Sequence, residues 1–212
     1  MNRINTRRLV ETALLLAIAV VLSLIQPFRL PFGGGITIVS MLPIVLISYR
    51  HGVRWGLFSA FVYAVIQIFT DFSSTIRAFF LPDSGLTLPT ALLIILLDYL
   101  VAFTLLGLGG IFRDRMKAST ALCLGSVVAL SLRFAAHILS GSLFFGAWAE
   151  WFFTQDSIAA WGANVLSSMS GTTLAVFYSI CYNATFMIPE IILTAVFAFI
   201  LGKIPVIAEK LH

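Results

Sequence analysis

The sequence predicts an all-α integral membrane protein, a single domain over residues 1–212 with six transmembrane helices and both termini in the cytoplasm. Three observations carry this prediction. Of the 212 residues, 60% are hydrophobic and only 10% are charged, against about 25% charged in a soluble domain, so a water-soluble fold is excluded. The length leaves room for roughly six spans of about 20 residues each, with connections. The third observation is where the cations lie. Of the 13 Lys and Arg residues, ten (Arg3, Arg7, Arg8, Arg50, Arg54, Arg113, Arg115, Lys117, Lys203 and Lys210) fall at the termini and at two of the turns. In a six-helix chain these four segments share one side, and the positive-inside rule makes that side cytoplasmic. The opposite connections hold Arg29 and Arg77 against Asp83, Glu150 and Asp156. Cations scattered in this way answer to topology rather than to nucleic acid.

The expected helices run over about 8–26, 38–50, 53–71, 88–112, 119–147 and 174–201. In the first, the apolar run Leu14–Ile25 is followed by PFRLPFGG, which reads as an external loop and offers no small-residue cleavage site. The run is therefore a retained helix, not a signal peptide. The second helix is short for a span and must tilt or be completed by its flanks. The third follows the turn carrying Arg50 and Arg54, and the last three are long apolar runs that each contain a polar residue. Outer connections are elaborate: 27–37 is rich in Pro and Gly, 72–87 holds Pro82 and Gly85, and 148–173 carries Trp148, Trp151 and Trp161. Long loops gathered on one face usually cover something there, although interfacial anchoring explains the tryptophans alone equally well. No internal repeat of the secondary-transporter kind is visible. Cys123 and Cys181 lie in apolar runs and read as small buried hydrophobes, with no disulfide framework or metal site.

Function is sought where lipid would reject the side chain. A charge at bilayer depth costs at least about 2.5–3.5 kcal/mol on insertion scales, so it normally faces a cavity, a partner or a substrate. At about 1.5 Å of rise per residue, Asp98, Arg133, His137 and Asn183 all fall between mid-membrane and the outer half, on the fourth, fifth and sixth helices. Arg133 and His137 are spaced i, i+4 and share a face, as do Tyr178 and Tyr182, and Tyr182 and Phe186. One reading is an internal Asp98–Arg133 ion pair, with His137 and Asn183 hydrogen-bonding between helices. The other is a pocket open to the outside, lined by a carboxylate, an imidazole, an amide and several rings. That set suits a small, flat, cationic ligand with hydrogen-bonding groups. Glu190, deeper and directly after Pro189, is expected to be structural or a helix-breaking element. Catalysis is not expected. His137 with Ser140 or Ser142 lies on a single helix, whereas triads draw nucleophile and base from separate elements. There is no HExxH motif and no GxxxxGK[ST] nucleotide loop.

Several segments together resemble the thiamine-specific S component of energy-coupling factor vitamin transporters. They are ETALLLAIA, MLPIVLISYRHGVRWGL, LLDYLVAF, RFAAHILSG and YSICYNATFMIPE, in that order along nearly the whole chain. The resemblance implies a binding site residue by residue. Asp98 and Tyr99 correspond to the acidic-Tyr pair that recognises the aminopyrimidine, and His137 to the histidine packed on the ligand. Gly141 matches the small residue one turn later, Tyr178 and Asn183 the last-helix pair, and Arg133 the basic residue one turn before the histidine. A carboxylate accepts from the ligand's amino group, and aromatic rings hold a cationic thiazolium face-on. Three departures stand out. Asp98 replaces the family's usual Glu and is one methylene shorter, which calls for a tighter pocket or a bridging water. Phe145, with Trp148 and Trp151 nearby, stands where a stacking Trp is usual, and Gly34 stands where an aromatic lid residue is expected, with Phe32 as its substitute.

The resemblance further implies a substrate-capturing subunit of a prokaryotic plasma membrane, with no cofactor and no catalysis of its own. It would deliver thiamine, or a precursor or analogue, through a transmembrane coupling protein and two ATP-binding subunits. Ala13 and Ala17, spaced AxxxA on the first helix, would dock the coupling protein through close helix approach. The competing expectation is a self-contained channel or proton-coupled carrier that uses Asp98, Arg133 and His137 as a relay.

Overall fold

A computed structural model of the chain describes residues 3–30 and 34–210, which are mostly helical. Helix α1 (Arg3–Leu24) leads into a short antiparallel hairpin, β1 (Phe28–Arg29) and β2 (Gly35–Ile36), in which Phe28 pairs with Ile36 and Arg29 with Gly35. Helices α2 (Leu42–His51) and α3 (Val53–Thr70) follow, meeting at Gly52 with φ +91°. The continuous helix α4 (Leu88–Gly110) begins after two 3-10 turns. Then come α5 (Ala118–Phe144), the short α6 (Ala149–Phe153) and α7 (Ala159–Ser168), the long α8 (Gly171–Leu201) and α9 (Pro205–Ala208). Among the described residues, α3, α4, α5 and α8 are long and apolar enough to cross a membrane.

The core is apolar, as in a water-soluble protein, but so is much of the outer surface, and several polar side chains are buried. Leu14, Val21, Phe58, Phe69, Leu88, Leu143, Ile192 and Val196 face outward, whereas Ser48, Ser126, Ser140, Ser179, Glu190 and Thr194 are buried. Small residues let the backbones approach closely, the main resource of helix association in lipid. A Cβ on Gly125 of α5 would lie 1.9 Å from the carbonyl oxygen of Gly109 on α4, so only glycine permits that crossing.

Helix α2 differs from the expected 38–50. Its ten residues are all buried and span only about 15 Å at about 1.5 Å per residue. The preceding stretch does not extend the helix, because Val39 adopts φ +50°, a conformation that β-branched residues avoid. Thr37 and Ser40 are meanwhile tied to each other, Oγ1 to Oγ at 2.7 Å. The connection expected as a long loop over 148–173 is instead packed structure. Phe153 is fully buried, stacked on Phe177 at 6.0 Å and 12°, with Trp161 edge-on at 5.4 Å.

The basic segments meet at one end of the bundle. Arg50 pairs with Glu11 and donates from Nη1 to the carbonyls of Val206, Ile207 and Glu209 at 2.6, 3.1 and 2.9 Å, fastening the C-terminal segment to α1 and α2. Arg8 lies 4.0 Å over the Trp55 ring, and Lys210 pairs with Asp114 at 3.1 Å. Ala13 and Ala17 lie on the exposed face of α1.

Candidate functional site

The opposite half of the bundle encloses a cavity of about 110 Å³, lined from the hairpin and from all five long helices, with the start of α2 as a further wall. The geometry of α4 is decisive. Its Leu96–Val101 turn is a π-helix, a local widening often found at functional sites. An ordinary helix turns adjacent residues about 100° apart, yet both Asp98 and Tyr99 line the cavity.

Four side chains are joined by hydrogen bonds that converge on Asp98. Arg133 Nε donates to His137 Nε2 at 3.1 Å, and guanidinium cannot accept. The imidazole hydrogen therefore sits on Nδ1, which donates to Asp98 Oδ1 at 2.8 Å. The second carboxylate oxygen accepts from Ser140 Oγ at 2.7 Å. The direct Asp98–Arg133 ion pair of the first reading is not formed among the described residues; His137 stands between them. Arg133, one turn deeper than His137, instead directs Nη1 to Met41 Sδ at 2.6 Å and lays its guanidinium 4.1 Å over the Phe103 ring. The i, i+4 spacing thus gives a relay of contacts along one face of α5.

Asn183 is fixed by its amide nitrogen, which donates to Ser179 O at 2.8 Å and reaches Ser179 Oγ and His137 O at 3.2 and 3.3 Å. Its Oδ1 remains without a partner among the described residues. Gly141 permits this arrangement: a Cβ there would lie 2.2 Å from Ser179 Oγ and 3.2 Å from Asn183 Nδ2. Tyr178 and Tyr182 stand 5.7 Å apart against Phe152, at 5.6 and 5.9 Å. Phe186 is edge-on to His137 at 5.9 Å. Phe145 lines the cavity and packs on Phe79 at 6.2 Å. All eight residues expected at the site (Asp98, Tyr99, Arg133, His137, Gly141, Phe145, Tyr178 and Asn183) therefore meet around one space.

The aromatic expected near Gly34 comes from another element. A Cβ on Gly34 would lie 2.8 Å from the Phe186 ring, so the glycine makes room for an aromatic supplied by α8. Phe32 lies outside the described residues. Glu190 is fully buried and accepts from Thr37 N and, at 2.6 Å, from Thr37 Oγ1. It clasps the wall segment Gly34–Met41 to α8, which agrees with a structural role.

Sequence reasoning missed Asp71. It follows the last residue of α3 and hydrogen-bonds the Tyr99 side chain, and burial pushes its carboxyl above the usual aspartate range. It lines both the inner cavity and an outer chamber of about 390 Å³ that also holds Arg29, Ser74, Ser84 and Trp148. Locally, IFTDFSS at a helix end is indistinguishable from ordinary interfacial polarity.

The family described as thiamine transporter protein matches residues 9–152. The thiamine transporter ThiT of Bacillus subtilis is 32% identical over an alignment of 205 positions, which takes in 89% of this chain and 86% of that protein. A solved structure of ThiT from Listeria monocytogenes superposes with a TM-score of 0.69, covering 97% of this chain and 98% of the other at 19% identity, a likeness of fold.

Proposed function

The chain belongs to the thiamine transporter protein family, and we propose that it is a high-affinity membrane subunit that captures thiamine from outside the cell. It is a transport protein, not an enzyme. The observation that carries the reading is the convergence of Asp98, His137, Asn183 and the aromatic wall on one cavity, in the half of the bundle away from the basic end. His137 is held as an Nδ1–H donor, which keeps Asp98 oriented as an acceptor for an amino group. Tyr178, Tyr182 and Phe186 offer ring faces to a flat cation.

The proposed topology has six membrane-embedded helices, α1 to α5 and α8, with both termini cytoplasmic and the cavity opening outward. Support comes from the gathering of Arg8, Arg50, Arg113 and Lys210 at one end and from the positive-inside rule. Transport is proposed to need a transmembrane coupling protein, docked on the α1 face carrying Ala13 and Ala17, and two ATP-binding subunits. The self-contained proton relay is disfavoured because its chain of bonds ends on Arg133, whose guanidinium does not release a proton.

The test has two arms. Purified chain titrated with thiamine is expected to show saturable one-to-one binding; no binding at micromolar thiamine removes the proposal. In liposomes, uptake is expected only when coupling and ATP-binding subunits are supplied. Uptake by the chain alone restores the carrier reading.

A further inference from the structure

We infer that Asp71 is a second recognition carboxylate, the counter-charge for the ligand's permanently cationic ring at the junction of the inner cavity and the outer chamber. The inference rests on the thiamine reading above and assigns a residue that reading does not use.

Charge balance leads to it. The ionic side chains lining the inner cavity are Asp71, Asp98 and Arg133. Asp98 and Arg133 are connected through a neutral His137, and Arg133 faces three carboxylates, Glu190, Asp98 and Asp71. Glu190, behind Thr37, brings no positive charge to the balance. Asp71 forms no ion pair in contact among the described residues; Arg29 and Arg133 act on it only from a distance. Its side chain hydrogen-bonds Tyr99, which sits on the same π-turn as Asp98. Arg29, a nearby cation in the same outer chamber, donates its Nε to Gln26 Oε1 at 2.6 Å and makes no contact ion pair with Asp71.

Position agrees with charge. Asp71 is shared by the two cavities, together with Gln26, Gly34, Thr75, Phe79 and Phe145. Asp98 lies only in the inner one. A two-ring ligand whose amino-bearing ring reaches Asp98 would leave its second ring at this boundary, beside Asp71 and against the Phe79–Phe145 pair. A desolvated carboxylate is destabilised in its charged form, and an adjacent cation relieves that cost. The two carboxylates thus divide the work: Asp98 reads hydrogen-bond donors, and Asp71 reads charge.

The test compares thiamine with 3-deazathiamine, the neutral isostere in which carbon replaces the charged ring nitrogen. An opposite charge within about 4–6 Å shifts an ionic equilibrium by about 10- to 1,000-fold. Asp71→Asn is therefore expected to weaken thiamine by about tenfold or more while leaving 3-deazathiamine unchanged. Asp98→Asn should weaken both ligands alike. Equal weakening of both ligands by Asp71→Asn, or of neither, overturns the inference. If Asp71→Asn does not yield folded protein, Asp71→Ser makes the same comparison. Failure of the wild type to bind either ligand would instead remove the thiamine reading itself.

Discussion

Replacing Asp98 by Asn tests the site at its most informative atom. The change is nearly isosteric, and the surrounding bonds survive it. His137 is held with its hydrogen on Nδ1 by Arg133, so it still donates to the remaining Oδ1. Ser140 Oγ can reverse and accept from the new amide nitrogen. Folding stability should therefore change little. What is lost is the charge on the acceptor facing the ligand. A hydrogen bond to a charged group contributes about 1.5–3 kcal/mol, and each 1.4 kcal/mol is about tenfold, so thiamine affinity should fall by about 10- to 150-fold. Quenching of tryptophan fluorescence reads this directly, because Trp148 lines the outer chamber. Affinity within twofold of wild type in a normally stable mutant would take Asp98 out of the binding site.

Gly141→Val places carbon where Ser179 Oγ and Asn183 Nδ2 now sit, so α5 and α8 must separate. Overpacking costs about 1–3 kcal/mol, seen as a lowered Tm in detergent together with weaker thiamine binding. Glu190→Ala leaves the buried Thr37 N–H without an acceptor, a loss of about 1–3 kcal/mol. It should free the Gly34–Met41 segment, measured as faster proteolysis in the first outer connection; an unchanged cleavage rate counts against the clasp. Asp71 faces Arg29, Tyr99 and Arg133, and its carboxyl titrates above the ordinary range of about 3.9. As pH falls through that raised value the counter-charge is neutralised, so wild-type affinity for thiamine should drop on acidification, at a pH above that at which an ordinary aspartate titrates. Asp71→Asn should be flat over the same window, and a matching drop in the mutant would assign the titration elsewhere.

The long helices were legible because an apolar run of twenty or more residues has few alternatives, and α3, α4, α5 and α8 begin and end near the expected positions. The start of α2 was not. The IVSML stretch reads as helix locally, but Thr37 answers to Glu190, 153 residues away. Spacing also placed Arg133 and His137 on one face without saying which of them reaches α4. That depends on the π-turn, which brings Asp98 to the level of His137 and leaves Arg133 one turn below, against Met41 and Phe103. Asp71 escaped for the same reason: its partner Tyr99 is remote in sequence, and neither residue signals the other.

The shorter carboxylate at position 98 now has a physical account. Asp98 is held toward α5 by His137 and Ser140, so its reach is set by helix packing rather than by side-chain length. An ionised carboxylate has about four acceptor positions, and two remain for a ligand. In this arrangement Arg133 is shared among Glu190, Asp98 and Asp71, and Asp71 is the carboxylate at the boundary of the two cavities, so selection for the cationic ring falls to Asp71. A double-mutant cycle distinguishes this from a single network running through Tyr99. If the two carboxylates act on different parts of the ligand, the losses from Asp98→Asn and Asp71→Asn add within about 0.3–0.5 kcal/mol. A coupling above about 1 kcal/mol would mean that Tyr99 joins them into one network, and the division of recognition between hydrogen bonding and charge would have to be abandoned.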